Sequence, residues 1–140
     1  MSDQLEFHYT ISGEDFTCAG EASSAVKNKL KMLGVDSGAI RKAAIAMYEG
    51  EINMVIHANG GEITVTISDQ DITMTLADTG PGIPDISKAM QEGFSTAPEE
   101  VRSLGFGAGM GLPNMKKYSD EFHIESVPGT GTTVTMKVFL

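Results

Sequence analysis

Two glycine-rich segments contain the residue types and spacings best suited to contacting a nucleotide. The first reads Asp78-Thr-Gly80-Pro-Gly82, and the second has glycine at every other position, as Gly105, Gly107, Gly109 and Gly111. Alternating apolar residues before Asp78 predict that its carboxylate lies where a strand ends at the mouth of the core. A helix-like pattern at residues 112–118 follows the second segment, and the first turn of a helix presents unpaired N–H groups and the positive end of a dipole. That turn is a natural phosphate site.

A polar stripe on one helix is the second candidate. Glu49, Asn53 and His57 recur at positions i, i+4 and i+8 of a segment with helical periodicity. The apolar side of this helix is predicted to comprise Ile45, Tyr48, Ile52, Val55 and Ile56. A polar stripe beside such a side faces either solvent or a cleft, and solvent needs no special explanation. The glycine segments elsewhere in the chain favour the cleft.

Several better-known nucleotide and metal motifs do not fit. The chain has no Gly-Lys-Ser/Thr, which excludes a P-loop, and neither glycine segment has the third glycine of G-x-G-x-x-G at the right place after a first strand, which excludes a Rossmann fingerprint. A hydrolase that relies on metal alone is weakly supported, because beyond the helix stripe no His, Asp or Glu pair has a diagnostic ligand spacing.

The composition is that of one globular domain with an acidic surface. Of the 140 residues, 41% are apolar and 21% are charged, which is enough to bury a core. The formal charge of −9 and the pI near 4.6 argue against nucleic acid or an anionic membrane as the main partner, because no Lys/Arg cluster stands out.

The targeting and cysteine signals favour a cytoplasmic protein. No segment approaches the roughly 20 apolar residues of a membrane span, and the first residues lack the basic and apolar regions of a signal peptide. Cys18 is the only cysteine, so an intrachain disulfide is excluded and no CxxC pair is available for zinc. We expect Cys18 to be a small structural residue.

Hydrophobic periodicity predicts the elements that position these residues. Alternation predicts strands at residues 5–11, 63–67, 72–76, 121–127 and 132–140, the last four forming two hairpins. Helices are predicted at residues 14–33, at 86–92, at 112–118, and from an N-cap at Asp36 to about residue 58. Residues 93–111 have little periodic pattern, which is typical of a lid or binding loop.

Four motifs in order resemble one family of ATP-binding domains. They are Glu49-x-x-x-Asn53-x-x-x-His57, Asp78-x-Gly80-x-Gly82, the alternating glycines from 105 to 111, and Gly129-Thr-Gly131-Thr-Thr133. In this order they resemble the N box and the three glycine boxes of the GHKL superfamily (the Bergerat ATP-binding fold), which includes gyrase, heat-shock chaperones, histidine kinases and MutL. Within it, the chain length, the run from Asp78 to Met90, Gly93-Phe-Ser-Thr96 and Ser119-Asp-Glu-Phe122 resemble the small bacterial RsbT-type switch kinases and SpoIIAB/RsbW-type anti-sigma-factor kinases. This resemblance covers nearly the whole chain from about residue 14.

The resemblance implies a role for each of the glycine boxes. Asp78 would accept a hydrogen bond from the adenine amine, Gly80 and Gly82 would let the backbone approach the ring, and Thr133 would complete the adenine pocket. The four glycines of the second segment would close over the β- and γ-phosphates through backbone N–H groups. Arg102 is implied as a γ-phosphate contact, with a free surface arginine as the alternative.

The resemblance also implies roles along the helix stripe. Asn53 would ligate a Mg²⁺ that bridges the phosphates of ATP, since a neutral oxygen with phosphates and waters suits this cation. Glu49 would be the general base toward a serine or threonine hydroxyl. His57 either packs against the nucleotide or simply ends the helix.

The elements and the resemblance together lead to an expected fold and an expected function. We expect a single domain over residues 1–140, an α/β two-layer sandwich with a mixed, mostly antiparallel sheet covered on one face by helices. The implied function is serine/threonine phosphorylation of a small STAS-like antagonist protein in a bacterial partner-switching or anti-sigma pathway, and the resemblance also allows a homodimer. The alternatives are an ATP-gated module that binds a sigma factor or another partner, and an ATP hydrolase that is part of a larger assembly.

Two segments leave the subgroup open. Residues 97–104 are longer than the lid expected of the switch kinases and look more like the anti-sigma kinases, whereas Gly109-Met-Gly-Leu-Pro113 looks more like the switch kinases. No phosphoacceptor-histidine helix pair precedes the domain, which argues against an autonomous histidine kinase.

Overall fold

A computed structural model describes residues 4–12, 20–57, 60–80 and 111–140. These residues form, in order, β1 (Leu5–Ser12), α1 (Glu21–Met32), α2 (Ser37–His57), β2 (Gly60–Ile67), β3 (Asp71–Asp78), α3 (Gly111–Lys117), β4 (Glu121–Val127) and β5 (Gly131–Phe139). The predicted strands and the hairpins β2–β3 and β4–β5 are confirmed. The predicted helix at residues 86–92 and most of the predicted lid lie outside the described residues.

The five strands form one sheet in the order β1-β2-β3-β5-β4. Each pairing in the described part of the chain is antiparallel, so the sheet there is wholly antiparallel where a mixed one was expected. Strand β5 joins the β2–β3 hairpin beside β3, and it pairs with β3 from Asp71 opposite Phe139 to Asp78 opposite Thr132. The end of β3 therefore meets the start of β5.

One face of the sheet is covered by the helices, as predicted for a two-layer sandwich. Side chains alternate along a strand, so every second residue of β2, β3 and β5 points to the same side. The buried set includes Ile63, Met74 and Met136 from the sheet, together with Leu30, Met47 and Met115 from the helices. Threonines occupy many of the alternate positions of the central strands, which are only partly buried.

Helix α2 is the longest element and is packed on several sides. It contacts α1, α3 and the sheet. Its N-terminus is capped as predicted, because Oδ2 of Asp36 accepts hydrogen bonds from the N–H groups of Gly38 at 3.0 Å and Ala39 at 3.2 Å.

The apolar side predicted for α2 was only partly right. Ile52 and Val55 are buried, but Tyr48 is 40% exposed, and Ala43 and Met47 are fully buried instead. The physical reason is that α2 lies between α1, α3 and the sheet, so buried residues are distributed around it and a single helical stripe does not describe it.

Helix α1 begins later than the periodicity predicts. Gly20 precedes it with φ of 98°, a left-handed conformation that glycine adopts without the cost of a Cβ, and the helix starts at Glu21. The part of the predicted helix at residues 14–19 lies outside the described residues.

The start of α1 is held by a carboxylate from α2. Glu51 is 1% exposed, and its Oε2 accepts hydrogen bonds from the N–H groups of Gly20 at 2.9 Å and Ala22 at 3.3 Å. Its Oε1 accepts from the N–H of Ser23 at 2.9 Å and from the Ser23 hydroxyl at 2.6 Å. Unpaired N–H groups at a helix start favour an acidic partner, so Glu51 ties α1 to α2 as a cap supplied from another helix.

We expect Glu51→Gln to lower the free energy of unfolding by about 1–2 kcal/mol, because one side-chain oxygen becomes an amide donor facing buried N–H groups. Urea denaturation of the two proteins measures the difference. Glu62→Gln, at an exposed position of β2, is the matched control and should change stability by less than about 0.5 kcal/mol. Equal stability of the parent and Glu51→Gln would show that the cap contributes little.

Candidate functional site

Asp78 ends β3 on the helix-covered side of the sheet. It follows buried Leu76 by two residues, which places both side chains on the same face. Its Oδ1 accepts hydrogen bonds from the N–H of Gly80 at 3.0 Å and from the N–H of Thr132 at 3.2 Å. The first bond forms a local turn in which an aspartate caps the backbone two residues on. Both donors among the described residues bond to Oδ1, so this oxygen fixes the orientation of the carboxylate.

Thr132 is the threonine beside Asp78. The two residues are paired across β3 and β5, and Thr132 is 8% exposed with its hydroxyl 2.8 Å from Oγ of Ser126. Thr133, which the motif singled out, is opposite Ala77 and points to the other face of the sheet. The threonine that shares a face with Asp78 is Thr132, which is in phase with the buried apolar residues Val134 and Met136.

Gly131 lets the start of β5 approach the end of β3. A Cβ at this position would collide with the backbone carbonyl of Asp78 and come within 3.0 Å of Cα of Thr79. Gly131 also has φ of 149°. The glycine box at residues 129–131 therefore positions the backbone that donates to the Asp78 carboxylate.

Glu49 is half-buried on α2 and faces α3. Its Oε1 accepts a hydrogen bond from Nδ2 of Asn114, with 3.5 Å between the two atoms. Burial raises the pKa of Glu49 above its ordinary value, and the hydrogen bond from Asn114 opposes this by favouring the charged form. A half-buried carboxyl group with a raised pKa is suited to accepting a proton.

Asn53 lies one helical turn after Glu49 and is also half-buried. Within the described ranges, the side chain of Asn53 makes no hydrogen bond to the protein. The same ranges contain no group of three or more His, Cys, Asp or Glu residues that could hold a metal ion. A neutral amide oxygen is a ligand type that suits a Mg²⁺ that takes one or two protein ligands and completes its shell with phosphates and waters. Asn53 is therefore compatible with the implied metal role.

Gly50, which lies between Glu49 and Asn53 in the chain, lets α2 approach β3 near the end of that strand. A Cβ on Gly50 would collide with Leu76, two residues before Asp78, and would lie 3.3 Å from Sδ of Met115. This close approach brings the polar stripe of α2 to the strand that leads into the first glycine segment. The structure thus places the helix that carries Glu49 and Asn53 against the strand that ends at Asp78.

The remaining predicted site residues are only partly covered by the structure. Gly111 begins α3, one residue before the helix predicted from the sequence. The backbone of His57 ends α2, but its side chain lies outside the described part. The other positions outside the described residues are Gly82, Arg102, Gly105, Gly107 and Gly109.

None of the helices in the described ranges has the length and apolarity needed to cross a membrane.

Comparison with known proteins gives one family match. The model of the family described as "Histidine kinase-, DNA gyrase B-, and HSP90-like ATPase" matches residues 41–140. This range contains all four motifs on which the resemblance rests.

Two curated relatives carry the names of regulatory proteins. The chain is 35% identical over 112 residues to the serine/threonine-protein kinase RsbT of Bacillus subtilis (strain 168), covering 77% of this chain and 78% of the relative. It is 40% identical over 100 residues to the anti-sigma F factor of Caldanaerobacter subterraneus subsp. tengcongensis, covering 68% of this chain. The second alignment spans 66% of that relative, just under two thirds of its length.

A solved structure supports the fold. The crystal structure of the RsbU and RsbW domains of a Mycobacterium tuberculosis protein aligns with a TM-score of 0.64 and 17% sequence identity. The alignment covers 96% of this chain and 32% of the other. This agreement confirms the two-layer architecture predicted from the sequence.

Proposed function

The chain belongs to the histidine kinase-, DNA gyrase B- and HSP90-like ATPase family, and from that premise we propose that it is a Mg·ATP-dependent serine/threonine protein kinase. Its substrate would be a small regulatory protein with a STAS-like fold, in a bacterial, cytoplasmic partner-switching pathway. The observation that carries the proposal is the half-buried carboxylate of Glu49, which lies one turn from Asn53 and accepts a hydrogen bond from the Asn114 amide. The similarity to a relative named a serine/threonine-protein kinase supports it.

Asp78 recognises adenine in this proposal. One oxygen of its carboxylate is engaged by the N–H groups of Gly80 and Thr132, so the other is directed and can accept from the adenine amine. We assign the threonine of the pocket to Thr132, because it shares the helix-covered face with Asp78 while Thr133 does not. Gly82 would allow backbone approach to the ring.

Asn53 and the second glycine segment bind the phosphate end. Asn53 offers its amide oxygen as a ligand, and Gly105, Gly107, Gly109 and Gly111 offer backbone N–H groups. Arg102 is a candidate contact to the γ-phosphate, and His57 a candidate contact to the nucleotide. A bound Mg²⁺ would neutralise charge on the β- and γ-phosphates.

Glu49 acts on the attacking hydroxyl. Its carboxylate accepts the proton of the serine or threonine hydroxyl as that oxygen attacks the γ-phosphorus, and the bond to the β–γ bridging oxygen breaks to release ADP. Phosphoryl transfer requires positioning more than covalent chemistry from the protein. A rigid helix that carries both Glu49 and Asn53 supplies that positioning.

We expect Asn53→Ala to weaken Mg·ATP binding by about tenfold and to leave metal-free ATP binding nearly unchanged, because only the metal loses a ligand. Isothermal titration calorimetry with Mg²⁺ and with excess EDTA measures both constants. Equal losses under the two conditions would show that Asn53 acts by supporting the helix.

The kinase proposal is tested by transfer of label from γ-labelled ATP. The protein is incubated with Mg²⁺, labelled ATP and an extract of its own host, and labelled proteins are identified by mass spectrometry. A labelled serine or threonine on a small STAS-like protein supports the proposal. The absence of any labelled partner, in an extract where the protein forms an ATP-dependent complex, contradicts it.

The second candidate is an ATP-gated binding module with little or no transfer. The observation that favours it is the similarity to a relative named anti-sigma F factor. ATP would then control docking to a sigma factor or another regulatory protein. A complex that forms with ATP and carries no transferred phosphate distinguishes this candidate from the kinase.

A further inference from the structure

Asn114 is the one polar partner of Glu49 within the described residues. Its Nδ2 lies 3.5 Å from Oε1 of Glu49, and both side chains are half-buried between α2 and α3. The two residues are 65 positions apart in the chain. Their contact therefore exists only because α3 packs against α2.

The packing of α3 on α2 that creates this contact depends on a glycine of α2 and on apolar residues of α3. Leu112 and Met115 of α3 are 6% and 1% exposed, so α3 is anchored in the core on both sides of Asn114. Gly50, the residue after Glu49, has no side chain, and a Cβ there would come within 3.3 Å of Sδ of Met115. Because Gly50 allows this approach, Asn114 is brought within reach of the preceding carboxylate.

The chemistry of the pair favours orientation of a reactive carboxylate. An asparagine amide can donate to one carboxylate oxygen without adding charge, whereas a lysine or arginine would form an ion pair and weaken the carboxylate as a base. The bond occupies Oε1 of Glu49, and Oε2 has no described donor. Restricting the rotation of a carboxylate in this way reduces the entropy lost when it meets a substrate hydroxyl.

We propose that Asn114 is a positioning residue that holds the carboxylate of Glu49 for phosphate transfer, an inference that rests on the proposed kinase function. Asn114 follows Gly111, the last glycine of the second segment, by three residues on α3. Asn114 therefore lies on the helix that begins at the last glycine of that segment, and its position is set by the packing of α3 on α2.

Two variants separate the hydrogen bond from the shape of the side chain. Asn114→Asp keeps the shape but replaces the donor with an acceptor, and Asn114→Ala removes the group. Lys116→Ala, at an exposed position of the same helix, is the matched control. At saturating γ-labelled Mg·ATP, we expect the rate of phosphate transfer to the partner protein to fall about tenfold in the alanine variant and further in the aspartate variant. The ATP dissociation constant should stay unchanged.

The second readout is the titration of Glu49 itself, followed by NMR of the ¹³C-labelled carboxyl group. The Asn114 bond favours the charged form, so its loss raises the pKa of Glu49 in the alanine variant, and a neighbouring carboxylate raises it more in the aspartate variant. Within the described ranges, burial and the hydrogen bond from Asn114 are the two influences on the pKa of Glu49. A merely structural role of Asn114 would leave the titration midpoint unchanged.

The outcomes are distinguishable. An unchanged midpoint in both variants overturns the contact, and an unchanged transfer rate in both overturns its role in catalysis. A parent protein that transfers no phosphate overturns the kinase proposal and with it the catalytic role of Asn114. The titration needs no partner and no ATP, so it still decides whether Asn114 holds Glu49.

Discussion

Replacing Glu49 with glutamine should lower phosphate transfer by about 10²–10⁴-fold while leaving the Mg·ATP dissociation constant nearly unchanged, which is the usual range for loss of a general base. Glutamine keeps the shape and the helix propensity of glutamate but cannot accept the hydroxyl proton. The side chain is half-buried, and its hydrogen-bond partner within the described residues is Asn114, which the proposal does not place on the nucleotide. Binding and chemistry should therefore separate at this residue.

The pH dependence of the transfer rate is a second test of Glu49 as the general base. A base must be deprotonated to act, and burial raises the pKa of Glu49, so the transfer rate should increase with pH through a midpoint above that of a solvated glutamate. This increase of the transfer rate with pH should be absent in Glu49→Gln. Glu121→Gln, at an exposed position of β4, is the matched control.

The measurement is a partner-phosphorylation rate at saturating Mg·ATP, with calorimetry on the same preparations. A Glu49→Gln protein that transfers phosphate as fast as the parent would remove Glu49 from the mechanism. A parent that transfers nothing to any partner would instead favour the ATP-gated binding module.

Replacing Asp78 with asparagine should weaken ATP binding by about 2–3 kcal/mol, or roughly 30- to 150-fold in the dissociation constant. The N–H groups of Gly80 and Thr132 both point at Oδ1, so the asparagine oxygen will occupy that position. Its NH₂ group then stands where Oδ2 was and faces the adenine amine. Two donors oppose each other, which costs more than the loss of one hydrogen bond.

Calorimetry with ATP and with GTP measures this effect. The loss should be confined to the adenine nucleotide, because guanine presents an oxygen at the corresponding position. Asp69→Asn, an exposed turn residue between β2 and β3, is the matched control. Unchanged ATP affinity in Asp78→Asn would refute the assignment of Asp78 to adenine.

The alternation of apolar residues was sufficient to predict the strands. Ile63 and Val65 of β2, and Ile72 and Met74 of β3, are all buried on one face, because a pleated strand presents every second residue to the same side. The N-cap at Asp36 was equally local, since an aspartate that accepts from the next turn acts within a few residues. Such features depend on short stretches of chain, and a single sequence contains them.

The candidate site was predicted in part for the same reason. Glu49 and Asn53 share a helical flank, and Asp78 follows an alternating strand, so each could be proposed from its own segment. The motif pointed to Thr133, but two adjacent threonines occur there and the motif does not say which of them shares a face with Asp78. Only the register of β5 against β3 decides which of them faces Asp78.

The contacts that connect the helices were decided by tertiary structure alone. Glu51 reaches the N–H of Gly20 across 31 residues, and Asn114 reaches Glu49 across 65. Periodicity predicts which side of an element a residue occupies, but it contains no information about which other element covers that side. In the sequence, the local patterns around Glu51 and Asn114 are the same as those around a solvated glutamate or asparagine. Their partners therefore became evident only when α1 and α3 were placed against α2.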